Sequence, residues 1–554
     1  MSSVLATPSG VSRQSPQNPW INPRVVIGVV ALLTSVLGFG WTLGGYFVGD
    51  DFGYVGRFFD YPLADWPHLF RASWAGEMWG FQLRELRPIT ALSFIIDARI
   101  WGGNASGFRV TNLLLHAGCA AIVGLLAWRA SGRALGCGLA AAVLFALHPA
   151  HAEPVQWITG RVDVLTTFFY LAGFGAFLGY RERGGKGWLA AFGALYAAAM
   201  FSKEFGLTLP LMCLLADWLW PWGGRSGRSW GMVMPYAVAG ALAVIYYFCR
   251  SSAFGPGGIG AGMPDLGSEA FYVQLAQRQL TYIGHLFPPA NRWLYEGAPW
   301  LTDRPIVVLA AIVALSTAAF VAWFWRARVQ SGAPRRAILF FGFGWYAMAT
   351  LPLVVTYISA RHLYLASAGV CIVFALILHA LLLRRWAMLG VAAVIALLFV
   401  DPLRLTMRPW HEAAVMSGEF TAELRRLEPE LQAGGALLLD VPEIRQGAYV
   451  WTWAVPFVLR PPFVRERWDD RLVVLESRGL YVDWERWHLQ PAVTELAAVS
   501  TPSWILQASE GVPVNRIPIA LERLRPAAER FAAAPLTTLP HESWRQLVND
   551  LTGP

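Results

Sequence analysis

His148-Pro149-Ala150-His151-Ala152-Glu153-Pro154-Val155-Gln156-Trp157-Ile158-Thr159-Gly160-Arg161-Val162-Asp163-Val164 is the stretch on which the reading of the fold turns. It sets two histidines, a glutamate, an arginine and an aspartate between two apolar segments. Outward from it the chain alternates in the same way, with apolar blocks of about bilayer length, roughly 20 residues, broken by short polar turns. The 554 residues are 56% hydrophobic and only 14% charged, where a soluble domain is nearer a quarter charged. That balance excludes an ordinary soluble protein and points to a polytopic α-helical membrane protein.

Eleven spans are expected. They are Val25–Val48, Val110–Trp128, Ala134–Leu147, Val164–Tyr180, Trp188–Phe201, Gly206–Trp220, Gly231–Phe248, Ile306–Trp325, Ala337–Tyr357, Leu363–Leu383 and Trp386–Val400. Residues 1–24 read as a disordered cytoplasmic tail. The apolar block after them is too long for a signal-peptide core and is expected to stay as an anchor. A mildly amphipathic piece, Phe271–Phe287, is expected to lie on the membrane. Arg129/Arg133, Arg181/Arg183/Lys186, Arg225/Arg228, Arg326/Arg328/Arg335/Arg336 and Arg384/Arg385 all fall in turns of one parity, with Glu182 their only acid. By the positive-inside rule those turns are cytoplasmic, and so is the N-terminus. The net charge of +8 is read as this topology signal and not as a nucleic-acid surface. The opposite, extracytoplasmic side then receives a large first loop, 49–108, the opening stretch, and residues 401–554. The last segment holds 20 of the 36 acidic residues and strand-like runs at Ala436–Val441 and Leu472–Glu476, beside a helical pattern at 412–432. It is read as a soluble α/β domain following a 25–400 membrane domain.

The unusual polar residues gather on that one side. Asp50-Asp51, directly after the first span, reads either as interfacial polarity or as a general base. His148, His151, Glu153, Arg161 and Asp163 read as caps and interfacial hydrogen bonds, as a weak zinc pattern, or as groups that orient a substrate. Lys203, one of two lysines in the chain, lies with Ser202 and Glu204 between two short apolar spans. A lysine facing lipid at that depth costs about 2.5–3.5 kcal/mol, so it is expected to face a cavity, pair with a carboxylate or bind an anion. Arg361 and His362 precede the tenth span, where Arg361 can either snorkel or grip oxyanions in a fork. Asn112 and His116 share one helix face and tie the second span to its neighbours or take part in the site, with Arg87 completing the set. Cys119, Cys137, Cys213, Cys249 and Cys371 fall in apolar segments without metal or disulfide spacing.

Four stretches together resemble the GT-C glycosyltransferases, in the branch of transmembrane, tetratricopeptide-repeat O-mannosyltransferases. Arg87-Pro88-Ile89-Thr90-Ala91-Leu92-Ser93-Phe94 through Asn112-Leu113-Leu114-Leu115-His116 looks like the branch's first signature. His148-Pro149-Ala150-His151-Ala152-Glu153 with Gly160-Arg161-Val162-Asp163 looks like its second, Ser202-Lys203-Glu204 with Gly206 its third, and Arg361-His362-Leu363-Tyr364-Leu365-Ala366-Ser367 its fourth. Asp50-Asp51 is placed like the first-loop acidic motif. Ala360 stands where the branch usually has an acidic residue, Ala366 where it has proline, and residues 401–554 where the repeats would be. The resemblance implies a GT-C fold and transfer of a sugar from a polyprenyl-phosphate donor to a hydroxyl of a protein, glycan or lipid, with inversion, at the outer face of a bacterial inner membrane. By the same resemblance Asp50 or Asp51 is the base. Lys203, Arg361 and Tyr364 hold the donor phosphate. Arg87, His116, His148, His151, Glu153, Arg161, Asp163, Glu204 and His362 line the substrate site. A divalent cation is left open, since Asp50, Asp51, His148 and Glu153 could ligate one only if they meet in space. A transporter or flippase and a non-catalytic scaffold are the competing readings of a polytopic chain with intramembrane charge.

Overall fold

The computed structural model describes residues 22–76, 78, 83–219, 230–255, 268–286, 337–338, 340–355, 359–382, 385–440, 444–445, 448–451, 455–476, 499–507, 514–533 and 540–552. Helix α1, Pro23–Phe39, opens on the side chain of Asn22, which accepts from Arg24 N at 3.0 Å, with proline at its first position. Both are ordinary start signals. Ile27, Ala31 and Ser35 are buried, whereas Val29, Leu33 and Leu37 on the other side are exposed. An exposed row of aliphatic side chains is what a lipid-facing helix presents.

Helices α2 (Asp50–Phe59), α3 (Pro88–Trp101), α4 (Ala105–Ala130), α5 (Leu135–Ala146), α6 (Ala152–Gln156), α7 (Arg161–Arg183), α8 (Lys186–Met200), α9 (Leu209–Leu219), α10 (Trp230–Phe254) and α11 (Glu269–Leu286) follow in order. Then come α12 (Trp345–Thr350), α13 (Tyr364–Leu381) and the 43-residue α14 (Arg385–Leu427). Six helices among the described residues are long and apolar enough to cross a membrane, or seven if the bent pair Leu135–Ala146 and Pro149–Gln156 is one span. The expected count of eleven is not reached on that measure. The stretches read as spans at 188–201 and 206–220 are α8 and α9, of 15 and 11 residues, short of the roughly 20 a straight crossing needs. Within the stretch expected at 337–357, residues 340–355 are broken into a π-helical turn, α12 and a 3₁₀ turn. Ile306–Trp325 lies outside the described residues.

Close helix approach in the first half depends on small residues. A Cβ on Gly124 of α4 would come 2.7 Å from Ile27 of α1 and 2.8 Å from the carbonyl of Gly138 on α5. Three helices therefore meet where two side chains are missing, the usual device where no hydrophobic effect drives helices together.

Two further features position the polar residues. First, the 49–108 loop has its own aromatic core. Tyr54 stacks on Trp74 with ring centroids 3.8 Å apart, and Phe94 and Phe108 close beneath them. This core continues into the C-terminal region, where Phe463 lies 4.8 Å and Trp451 6.1 Å from Phe52. Second, α14 runs through position 400 without interruption, so the expected break between the last span and the helix at 412–432 is absent. Beyond α14 lies a four-stranded sheet of order β4-β1-β5-β6, made of β1 (Ala436–Asp440), β4 (Val473–Glu476), β5 (Ser503–Gln507) and β6 (Asn515–Ile519). The first three strands are parallel and β6 is antiparallel to β5. A two-stranded pair, β2 (Ile444–Arg445) and β3 (Ala448–Tyr449), stands apart from it.

The glycine contacts give a paired prediction. Gly124→Val drives a branched side chain into Ile27 and the Gly138 carbonyl and is expected to cost about 1–3 kcal/mol, read as a lower melting temperature in detergent. Gly175→Ala, on α7 with nothing within 4 Å of its Cβ, is expected to be neutral or slightly stabilising.

Candidate active site

The turn after α1 ends at Gly49, whose φ of +50° favours glycine. Gly49 N donates to the carbonyl of Val450 at 2.8 Å, so the C-terminal region of the chain fixes this turn. Asp50 then opens α2 and is partly exposed, whereas Asp51 is fully buried. Asp51 Oδ2 accepts from Val48 N at 3.1 Å; its Oδ1 accepts from Thr159 N at 2.8 Å and Thr159 Oγ1 at 2.7 Å. Arg109 donates to the carbonyls of Gly45, Tyr46 and Gln156. The two adjacent carboxylates thus differ in kind: Asp51 fastens the turn to residue 159, and Asp50 is presented beside it. Burial raises the carboxyl of Asp51 to about 6 against the opposing effect of Thr159, Arg109 and its backbone donors.

The segment 148–163 forms the common wall. His148, His151 and His116 are buried in the helix interior. His148 Nδ1 accepts from Ala150 N at 3.2 Å and its Nε2 lies 3.2 Å from the carbonyl of Leu286. His151 Nε2 lies 2.8 Å from Ser367 Oγ, and His116 Nδ1 2.6 Å from the Tyr364 hydroxyl. Arg161 is fully buried too. It donates to Asn112 Oδ1 at 2.7 Å and Phe108 O at 2.9 Å and pairs with Asp97 at 2.6 Å. Asn112 in turn donates to the carbonyls of Trp157 and Ile158 at 3.2 and 3.3 Å. These contacts tie α3, α4, α7 and α13 together around the wall, so His116, His148, His151, Arg161 and Tyr364 stand in the structure as interior ties.

The remaining candidates converge. Lys203 Nζ meets Asp163 Oδ1 at 2.5 Å, and Arg361 Nε lies 3.9 Å from Asp163 Oδ2 and 3.7 Å from Glu153 Oε1. Ser359 donates to Glu153 Oε2 at 2.9 Å. The Arg361 guanidinium also stands 4.8 Å over the Trp157 ring. Next to Lys203, Glu204 pairs with Arg87 at 3.2 Å, and Arg87 also meets Glu85 at 3.0 Å. The local fold explains the meeting. Helix α8 ends at Met200, a 3₁₀ turn spans Glu204–Thr208, and the N-terminal turn of α3 grips the break, Ile89 N donating to Phe201 O at 3.2 Å and Thr90 Oγ1 to Ser202 O at 2.9 Å. Burial lowers the Lys203 ammonium, opposed by Asp163. Burial works against the charge on Glu204, but Arg87 outweighs it and holds that carboxyl below its ordinary range. His362 is buried beside this cluster.

Among the described residues no group of three or more His, Cys, Asp or Glu is arranged to hold a metal ion. Asp50, Asp51, His148 and Glu153 do not meet as one ligand set. Sequence reasoning passed over Asp97, Arg109, Thr159 and Ser359. The signal for Asp97 was present as a lone carboxylate in the apolar run Ser93-Phe94-Ile95-Ile96-Asp97, which needs a buried partner.

No family model matches the chain. Protein O-mannosyl-transferase TMTC4 of Homo sapiens is 27% identical over 474 residues, covering 72% of this chain and 60% of that protein. Its Mus musculus counterpart is 26% identical over 479 residues, with the same coverage. Over most of its length the chain is similar to the TMTC transferases. It spans about 60% of the length of these two relatives. Protein O-mannosyl-transferase Tmtc2 of Drosophila melanogaster is 35% identical over 161 residues, 27% of this chain and 17% of that protein. The relationship read from the four motifs is borne out. Among solved structures, ArnT from Cupriavidus metallidurans bound to undecaprenyl phosphate aligns over 88% of this chain and 93% of its own at 14% identity, with a TM-score of 0.40.

The raised Asp51 carboxyl sets a pH dependence. A folded-state value of about 6 against an ordinary 3.8 means that the folded protein holds the proton more tightly. The contribution is therefore fully present below pH about 4 and is lost as pH rises through about 6, amounting to roughly 3 kcal/mol. Measured in detergent, the stability difference between wild type and Asp51→Asn should shift against the wild type across that window and level off above it. A difference that does not change with pH would contradict the assignment.

Proposed function

We propose that this protein is a membrane glycosyltransferase that moves a sugar from a polyprenyl-phosphate donor to a hydroxyl acceptor at the extracytoplasmic face. The observation that carries the reading is the convergence of Lys203 and Arg361 on the two oxygens of one buried carboxylate, Asp163. Two cations brought within reach of both oxygens of one small oxyanion are spaced to grip a second oxyanion, and a phosphate monoester is the anion such a transfer releases. The relationship to O-mannosyl-transferases supports the same reaction class and makes mannose the first sugar to try.

In the reaction Asp50 takes the proton of the acceptor hydroxyl as its oxygen attacks C1 of the sugar. The C1–O bond to phosphate breaks, and the electron pair leaves on the phosphate, whose developing charge Lys203 and Arg361 offset. A single displacement inverts C1. Asp51 is unsuited to be the base, because three donors already occupy its oxygens; it holds Asp50 in place. Glu153 and Asp163 keep the two cations aligned, and Arg87 holds Glu204 beside them. The interior ties at His116, His148, His151, Arg161 and Tyr364 support the wall, with His362 buried next to Arg361 in the sequence and 3.5 Å from the Tyr282 hydroxyl. In this arrangement the N-terminus and the arginine-rich turns face the cytoplasm and residues 401–554 form the outer domain.

The test is transfer from a polyprenyl-phosphate mannose in membranes containing the protein. Asp50→Asn is expected to lower kcat by about 10²–10⁴-fold without loss of protein. Lys203→Ala and Arg361→Ala are expected to raise the KM for the donor as well as lower kcat. Activity that survives Asp50→Asn would remove Asp50 as the base. Donor turnover untouched by either cation change would favour a scaffold.

A further inference from the structure

The β2–β3 pair carries a side chain of the C-terminal region to the turn that presents Asp50. Tyr449, at the end of β3, packs so closely on Gly49 that a Cβ there would lie 2.9 Å from its own Cβ. The neighbouring Val450 carbonyl accepts from Gly49 N at 2.8 Å. On its other side the Tyr449 ring lies 5.6 Å from Trp157 and 5.8 Å from Trp410. Trp157 is the ring under the Arg361 guanidinium, at 4.8 Å. The order through space is Arg361, Trp157, Tyr449, Gly49, Asp50. Trp157 and Trp410 are buried, while Tyr449 keeps some of its surface exposed.

We infer that Tyr449 is an acceptor-facing residue that sets affinity for a saccharide acceptor. The inference rests on the proposed transfer reaction. An acceptor hydroxyl must approach C1 from the side of the base, and the Tyr449 side chain packs on Gly49, the residue directly before Asp50. A tyrosine offers a large rigid contact surface at small entropic cost, having two side-chain torsions. Its π face attracts the positive edge of C–H bonds. A pyranose supplies the complement: one face of C–H bonds to lie on the ring and a rim of hydroxyls, one of which reaches Asp50. Trp157 and Trp410 behind Tyr449 fix its orientation.

The experiment uses the full chain in membranes with a polyprenyl-phosphate mannose donor and three acceptors: water, an octyl glycoside and a serine-containing peptide. The wild type is expected to glycosylate the octyl glycoside. Tyr449→Ala and Tyr449→Leu are expected to raise the KM for that acceptor about tenfold, with donor KM and transfer to water unchanged. Tyr449→Phe is expected to stay within about twofold of wild type, since the ring face makes the contact. Tyr449→Leu keeps apolar bulk against Trp157 and Trp410, so the result does not hang on the alanine variant folding. An unchanged glycoside KM in both variants would overturn the inference, as would an equal rise in donor KM, which marks a structural role. A wild type that uses the peptide and not the glycoside would overturn the saccharide class. A wild type that turns over the donor with none of the three acceptors would overturn the transfer reading itself.

Discussion

Asp163 is the point at which the helices around the candidate site are tied together. It stands in the first turn of α7 and draws in Lys203 from the break between α8 and α9, and Arg361 from the turn before α13. Buried cations are tolerated only when paired, so each of these breaks has to end where the carboxylate is. Three places where helices stop are thereby fixed at one depth, and Glu153 joins a fourth element to them through Arg361 and Ser359. The geometry of the candidate site is a consequence of charge being expensive to bury singly.

Much of this was legible in the sequence. The rarity of lysine singled out Lys203, the broken apolar pattern around it foretold the interruption, and the four motifs pointed to residues that do meet. The strand-like runs beginning at 436 and 472 became the neighbouring parallel strands β1 and β4 of one mixed sheet, because short continuous apolar runs bounded by turn formers carry that information locally. The histidines and Arg161 were less legible. A histidine in a polar stretch reads the same whether it faces a substrate or a carbonyl of another helix, and His116 is paired with Tyr364, which no local pattern relates to it. The span count is not reached among the described residues for a similar reason: hydropathy sees composition, whereas α8 and α9 are cut short by the Lys203 break.

The aromatic core shared by the first loop and the C-terminal region was beyond any local reading. Phe47 and Phe52 pack on Phe463, and Arg425 donates to the Tyr46 hydroxyl at 3.1 Å and to the Pro462 carbonyl at 3.2 Å. Each residue alone looks like an ordinary interfacial aromatic or a solvated arginine. Their partners are hundreds of positions away, and only the fold supplies them. The effect is to fuse the first loop and the C-terminal region into a single body around Asp50. The chain after the last apolar block therefore belongs structurally to the surroundings of the site and is not an appendage.

The continuous α14 has a mechanical consequence. At 1.5 Å per residue its 43 residues extend for about 64 Å, roughly twice the hydrocarbon thickness of a bilayer. Such a helix carries the chain from its last apolar block directly into the C-terminal region. Pro402 and Pro409 lie inside it, each deleting one rung of the helical ladder. Seven residues are nearly two full turns, so both missing rungs fall on the same side. Both prolines therefore weaken the same face of the helix. Bending between the apolar half of α14 and the C-terminal region is thereby favoured in a single plane.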